Sequence, residues 1–249
     1  MNDKSPPTSG PNYGIDAPDV VRRFFKLGAF GILLGCASIF TITHGLLPLT
    51  RFIIFPALAF GCTFLLQGAI ILWGSKVGKL RLRDKIINSI PWRGDEIVLD
   101  VGCGHGLLLI AAARHLRTGK AIGIDLWKNE DQADNSREAT WRNVQLENIA
   151  DRVELKDGDA QKLDFPDNTF DVVLSSWAIH NIYNAPGRAV AIREIVRVLK
   201  PAGKLAIADI RHIAEYALVL RECSMANIKQ SGPNFLFVIP TFTLTATKK

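Results

Sequence analysis

Two stretches of this chain, residues 27–50 and 52–75, carry no charged side chain apart from a possible His44 cation. Each runs for about 24 residues, and a helix of roughly 20 crosses the hydrocarbon core of a bilayer. No other feature limits the fold so strongly. With Pro48 and Arg51 between them, the two runs read as a short helical hairpin. Gly28, Gly31, Gly35, Gly45, Gly61, Gly68 and Gly74 are many glycines for a soluble helix and suit close packing in lipid. A buried core hairpin would carry a polar face, and neither run sustains one. A secretory signal would be cleaved close behind its basic flank, whereas the candidate Ala57-Leu58-Ala59 lies inside the second run.

Basic residues bracket the hairpin: Arg22, Arg23 and Lys26 before it, then Lys76, Lys79, Arg81, Arg83 and Lys85 after it, with only Arg51 in the turn. The positive-inside rule places both termini, and the domain that follows, in the cytoplasm. These flanks supply much of the net charge of +6. Cations clustered beside apolar spans point to anionic headgroups as partners, not to nucleic acid. Four cysteines, two of them inside the apolar runs, form neither a disulfide framework nor a metal-ligand spacing. The expected organisation is a disordered cytoplasmic tail at 1–26, a transmembrane hairpin at 27–75, a basic interfacial linker at 76–94 and a globular domain at 95–249.

Within that domain, apolar runs of strand length at 96–101, 121–125, 153–156, 170–175 and 204–209 alternate with helical patterns at 106–116, 137–148, 188–198 and 214–225. Such alternation predicts a parallel sheet covered by helices on both faces. The end of the chain differs, with two strand-like runs around Ser231-Gly232-Pro233 and no helix between them, which predicts an antiparallel hairpin at the sheet edge.

"VLDVGCGHGLLLI", residues 98–110, sets Gly102, Gly104 and Gly106 in a turn directly after the first strand. In an open α/β sheet, ligands bind beyond the carboxyl ends of the strands, so the turn lies at the expected site. Its glycines allow close approach of backbone to ligand, with Cys103 as a small residue between them. The spacing is G-x-G-x-G after Asp100, where a dinucleotide site has G-x-G-x-x-G. A carboxylate at Asp100 suits an ammonium group and repels a pyrophosphate. Asp125, followed by Leu126, ends the second strand about 20 residues on, where a carboxylate accepts the ribose hydroxyls. The third strand ends at Asp157-Gly158-Asp159-Ala160, an acid and a small residue placed for an adenine edge. An amino group, a ribose and adenine without pyrophosphate describe S-adenosyl-L-methionine.

"VLDVGCGHG", "GIDLW", "DGDAQKLDFPDNTFDVVLSSWAIHNI" and "EIVRVLKPAGKLAIADI" occur in the order and spacing of the class I S-adenosylmethionine-dependent methyltransferases, which residues 95–245 resemble. "FDVVLSSWAIHNI" is similar to the ubiquinone and menaquinone methyltransferase group. The resemblance implies a Rossmann-like α/β fold with a seven-stranded, mostly parallel sheet and a reversed last strand. It also implies that Asp100, Gly102, Gly104, Asp125, Asp159, Ala160 and Ser176 line the cofactor. The chain departs from the group in three places. The soluble N-terminal lid is replaced by the hairpin, the polar segment 128–140 is longer than the usual link, and no insertion of substrate-domain size follows the fifth strand. All three bear on the acceptor, not on the cofactor.

His180, after the fourth strand, is the candidate catalytic base for a phenol or hydroxyl acceptor. Its structural alternative is a helix-start histidine held by Asn181 or water. Trp127 either stacks on adenine or covers the sheet edge. Trp177 and Tyr183 shape the acceptor pocket or pack, His212 stands near the mouth, and His105, His115, Cys103 and Cys223 read as structural. The expected protein is a membrane-anchored methyltransferase with a small, membrane-partitioning acceptor: a quinone, a prenylated phenol or a lipid. Two rivals stay open. A dinucleotide oxidoreductase needs the third glycine one residue later, and a non-catalytic tethered module would bind without turnover. Amino-methylating DNA enzymes carry Asn/Asp-Pro-Pro-aromatic where this chain has Ser-Ser-Trp-Ala.

Overall fold

The structure, a computed structural model, describes residues 10–15, 18–46, 48–127, 135–236 and 239–249. The chain divides into two compact units, one formed by Ile15–Gly78 and the other by the residues up to Gly14 together with Lys79–Lys249.

The first unit is the hairpin. Helix α1 covers Pro18–Thr43 and α2 covers Arg51–Trp73, followed by a π-helical turn at Gly74–Gly78. The glycines form the seam. A Cβ on Gly31 would lie 2.7 Å from the Gly61 backbone, and one on Gly35 would lie 2.5 Å from Leu58. Where backbones approach this closely, only glycine fits. Large apolar side chains point outward instead: Phe30, Leu33, Phe52 and Phe55 are 62–81% exposed. Both helices are long and apolar enough to cross a membrane.

The second unit is a doubly wound α/β domain. Its strands are β1 (Ile97–Val101), β2 (Lys120–Asp125), β3 (Val153–Asp157), β4 (Phe170–Ser176), β5 (Leu199–Asp209), β6 (Ala226–Asn234) and β7 (Thr241–Thr247), in the sheet order β3-β2-β1-β4-β5-β7-β6. The first five are parallel, and β7 runs antiparallel to both β5 and β6. Helices α3 (Lys79–Ile87), α4 (Leu107–Ala113), α5 (Arg137–Leu146), α6 (Ala185–Val198) and α7 (Ile213–Glu222) cover it. The β-branched and leucine-rich runs of β1 and β4 are buried on both faces, as central parallel strands require. Because β2 and β4 flank β1, the chain reverses direction across the sheet between β1 and β4, and the cleft opens there.

Four expectations are revised. The C-terminal hairpin is present, but Ser231-Gly232-Pro233 lies inside β6 and the turn falls after Asn234. As the outermost strand, β6 tolerates a residue without an N–H, at the cost of a register shift between Ser231 and Asn234. The tail at 1–26 is structured in its described part: Tyr13 is buried in the domain core, and α1 already begins at Pro18. The linker at 76–94 contributes to that core, because Leu82 and Ile86 share one face of α3 at i, i+4 and bury with Ile87 and Ile90. Lys79 is 5% exposed and donates to the carbonyls of Tyr13 and Gly14, so it is not a surface cation.

Candidate active site

The glycine turn follows β1 and is tied to β2. The amides of Gly102 and Cys103 both donate to the carbonyl of Ile124, and the amide of Gly104 donates to Asp125 Oδ2 at 2.9 Å. Gly102 and Gly106 adopt φ of 71° and 83°, left-handed values that suit glycine. A Cβ on Gly102 would sit 2.2 Å from Ala178 Cβ, so the turn after β1 and the loop after β4 touch across the switch point. Cys103 is buried, and a Cβ on Gly123 would lie 2.8 Å from its Sγ, which makes the thiol a packing group.

Asp100 is 1% exposed, and the two oxygens of its carboxylate differ. Oδ2 accepts from the Leu109 amide in the first turn of α4, whereas Oδ1 is buried without a partner. Burial, reinforced by the charge of Asp125 and opposed by the Leu109 amide, pushes its pKa up to about 7. Asp125 accepts three hydrogen bonds, from Gly104, from the Trp127 amide and from Asn135 Nδ2. Asp157 lies beside it in register, and the Gly158 amide donates to the Asp125 carbonyl. Asp159 closes a tight turn by accepting from the Gln161 amide, and Ala160 packs on the core. Leu126 is half-exposed and Ser176 half-buried at their strand ends. Trp127 donates its indole N–H to Asp157 and packs on the core.

His180 lies in a one-turn 3-10 helix, Ile179–Asn181, beyond β4. Its Nδ1 is 2.6 Å from Asp209 Oδ1, off the line of a hydrogen bond. Its amide donates to Asp209 Oδ2, which also accepts from the Tyr216 hydroxyl. Asp209 is wholly buried at the end of β5 and fixes the histidine from behind. This pairing was hidden in the sequence, where the two residues are 29 positions apart. The one signal Asp209 offered was its place at the end of the fifth strand, and it was not singled out. Asn135, Thr140 and Asn143 were likewise not singled out. The segment 128–140 is described only from Asn135 onward, and the remainder of that expectation lies outside the described residues.

Tyr183 is 97% exposed, and Arg188 donates to its carbonyl. Ile86, Ile87 and Ile90 are buried in the core with Trp92 packed against them; Trp92 donates to the Ile87 carbonyl and stacks on His115. His212 pairs loosely with Glu215 at 3.6 Å. Among the described residues, no group of His, Cys, Asp and Glu is placed to hold a metal ion.

Residues 99–207 match the family described as a methyltransferase domain. The chain is 39% identical over 121 residues to a demethylmenaquinone methyltransferase of Symbiobacterium thermophilum, covering 48% of this chain and 45% of that protein. It is 33% identical over 131 residues to a 27-O-demethylrifamycin SV methyltransferase of Amycolatopsis mediterranei, covering 52% and 44%. The chain thus spans less than half the length of either relative. In fold it is similar to a SAM-dependent methyltransferase from Aquifex aeolicus, with a TM-score of 0.54, 21% identity, and coverage of 70% of this chain and 94% of that one.

The site fits S-adenosylmethionine at one point: the unpartnered Asp100 oxygen matches an ammonium donor. A pH dependence follows. Asp100 in the folded protein binds a proton below about 7, whereas an unfolded carboxyl releases its proton near 4. The native state therefore holds more protons across that window, and stability of the unliganded protein falls as pH rises through it. An ammonium ligand favours the carboxylate, so S-adenosylhomocysteine should bind more tightly at pH 8 than at pH 6 and release a proton at pH 6. Calorimetry in two buffers of different ionisation enthalpy measures this. Equal affinity at both pH values without proton release would remove Asp100 from the ligand site.

Proposed function

We propose that this protein is a membrane-anchored S-adenosylmethionine-dependent methyltransferase whose acceptor is a small lipophilic molecule, such as a quinone, a prenylated phenol or a lipid. The reading rests chiefly on the closed cradle at the switch point, where Gly104 is bound to Asp125 and the buried Asp100 keeps one oxygen unpartnered. The bound group supplies a methyl on a sulfonium, already activated for in-line displacement. Asp125 orients the ribose, Asp100 holds the amino group, and Asp159 with Ala160 borders the adenine edge. With Nδ1 held against Asp209, His180 keeps Nε2 for the acceptor proton.

Anchoring is supported by helices whose most apolar windows are only 22% and 17% buried within the protein. A soluble core helix would bury its apolar face, and an exposed surface of this size in water is an aggregation liability. The basic flanks favour cytoplasmic termini. A demethylated quinone, the acceptor named for one relative, resides in the bilayer.

The test is a transfer assay with full-length protein in vesicles, methyl-labelled cofactor, and either demethylmenaquinone or an extract of membrane lipids. Label should enter the organic phase, and a carbonate wash should leave the protein in the membrane. Binding of S-adenosylhomocysteine without label transfer to any acceptor would instead support the non-catalytic module. Faster transfer to water-soluble acceptors than to lipids would reduce the hairpin to a tether.

A further inference from the structure

One face of α5 connects the cofactor turn to the extreme N-terminal part of the described chain. Thr140, Asn143 and Glu147 follow one another at i, i+3 and i+7, the spacing of a single helix stripe. The Thr140 hydroxyl donates to the Gly104 carbonyl at 2.5 Å. The Asn143 carboxamide donates to the His105 carbonyl at 3.0 Å and to the Asn12 carbonyl at 2.9 Å, while its oxygen accepts from the Asn12 amide at 2.9 Å. Glu147 accepts from the Tyr13 hydroxyl. We propose that residues 12–14 are a positioning strap for the cofactor turn, working through Asn143. The inference rests on the cofactor reading above and is independent of the acceptor.

The coupling follows from the inventory of one buried amide. Asn143 is 3% exposed, and a carboxamide has two N–H groups and one oxygen. All three are used, one N–H on the turn and the rest on the strap. If the strap leaves, a buried donor and a buried acceptor lose their partners together, which a protein interior penalises heavily. Asn143 must then reorient, and the His105 carbonyl loses its donor. Held in place, the strap keeps the turn in the geometry that offers the Gly104 amide to Asp125. Two anchors secure it: the Tyr13 ring, 8% exposed in the core, and Lys79, whose ammonium donates to the carbonyls of Tyr13 and Gly14.

Coupling between two sites is reciprocal, which gives the test two arms. In the full chain, Tyr13→Ala should weaken S-adenosylhomocysteine binding about tenfold, whereas Tyr13→Phe, which keeps the ring, should stay within about twofold. In the unmodified protein, saturating S-adenosylhomocysteine should slow amide hydrogen exchange at Asn12 and Gly14. The second arm needs no variant and stands even if Tyr13→Ala folds poorly. A lower melting temperature for Tyr13→Ala with unchanged affinity, together with ligand-independent exchange at residues 12–14, would show the strap to be core only. Failure of the unmodified protein to bind S-adenosylhomocysteine at all would overturn the cofactor reading and the strap with it.

Discussion

Gly102→Ala should lose at least 100-fold in S-adenosylhomocysteine affinity, the largest effect expected from a single methyl group in this protein. The added Cβ would sit 2.2 Å from Ala178 Cβ, well inside van der Waals contact, and the residue must also hold φ at 71°. The clash forces apart the loops that follow β1 and β4. The left-handed backbone separately costs an L-residue about 1 kcal/mol. These two contributions can be separated. Ala178→Gly removes the contact but not the backbone cost, so the double variant should recover most of the lost affinity. Wild-type affinity in the single variant, measured by calorimetry, would mean that the two loops do not enclose the ligand.

His180→Ala should lower kcat by about 10²–10⁴ and leave KM nearly unchanged, if the acceptor must lose a proton in the transition state. Asp209 touches no reacting atom and acts by fixing the imidazole through the Nδ1 contact and the main-chain amide. Tyr216→Phe, which removes only the hydroxyl bonded to Asp209, should therefore move the pH profile of kcat with a smaller loss of rate. A fall of less than tenfold for His180→Ala would mean an acceptor that is already nucleophilic, with rate enhancement supplied by orientation.

The ends of β1, β2 and β3 were legible because each is an apolar strand run closed by an acid or a glycine, a local signal. That reasoning put Asp100 in the first strand and Asp125 at the end of the second, which is where they lie in β1 and β2. The His180–Asp209–Tyr216 contact was not legible. It joins β4, β5 and α7, and nothing in one segment states which histidine a distant carboxylate will face. The strap was misread for a different reason. A short polar segment has the composition of disorder, yet one tyrosine and a few backbone groups sufficed to dock it once Lys79 and Asn143 were in position. Hydropathy likewise assigned Lys79 to the lipid surface, because it weighs a lysine as a charge. It cannot anticipate two waiting carbonyls. Ser231-Gly232-Pro233 misled through turn chemistry that an edge strand can absorb.

The bonds from Lys79 to Tyr13 and Gly14 join positions up to 66 apart in the chain. Seen as chain architecture, Ile15–Gly78 is an insertion with a closed neck, entering and leaving the globular domain at neighbouring points. Domain insertion is tolerated where the two ends lie close together. An extended chain advances about 3.3–3.6 Å per residue, so a linker of roughly four residues from Gly14 to Lys79 covers the reach of one lysine side chain. Such a graft would keep the N-terminal segment on the globular domain, which simple removal of everything before residue 76 discards. It converts a question about the whole protein into one about the globular domain alone, with the neck as the splice point.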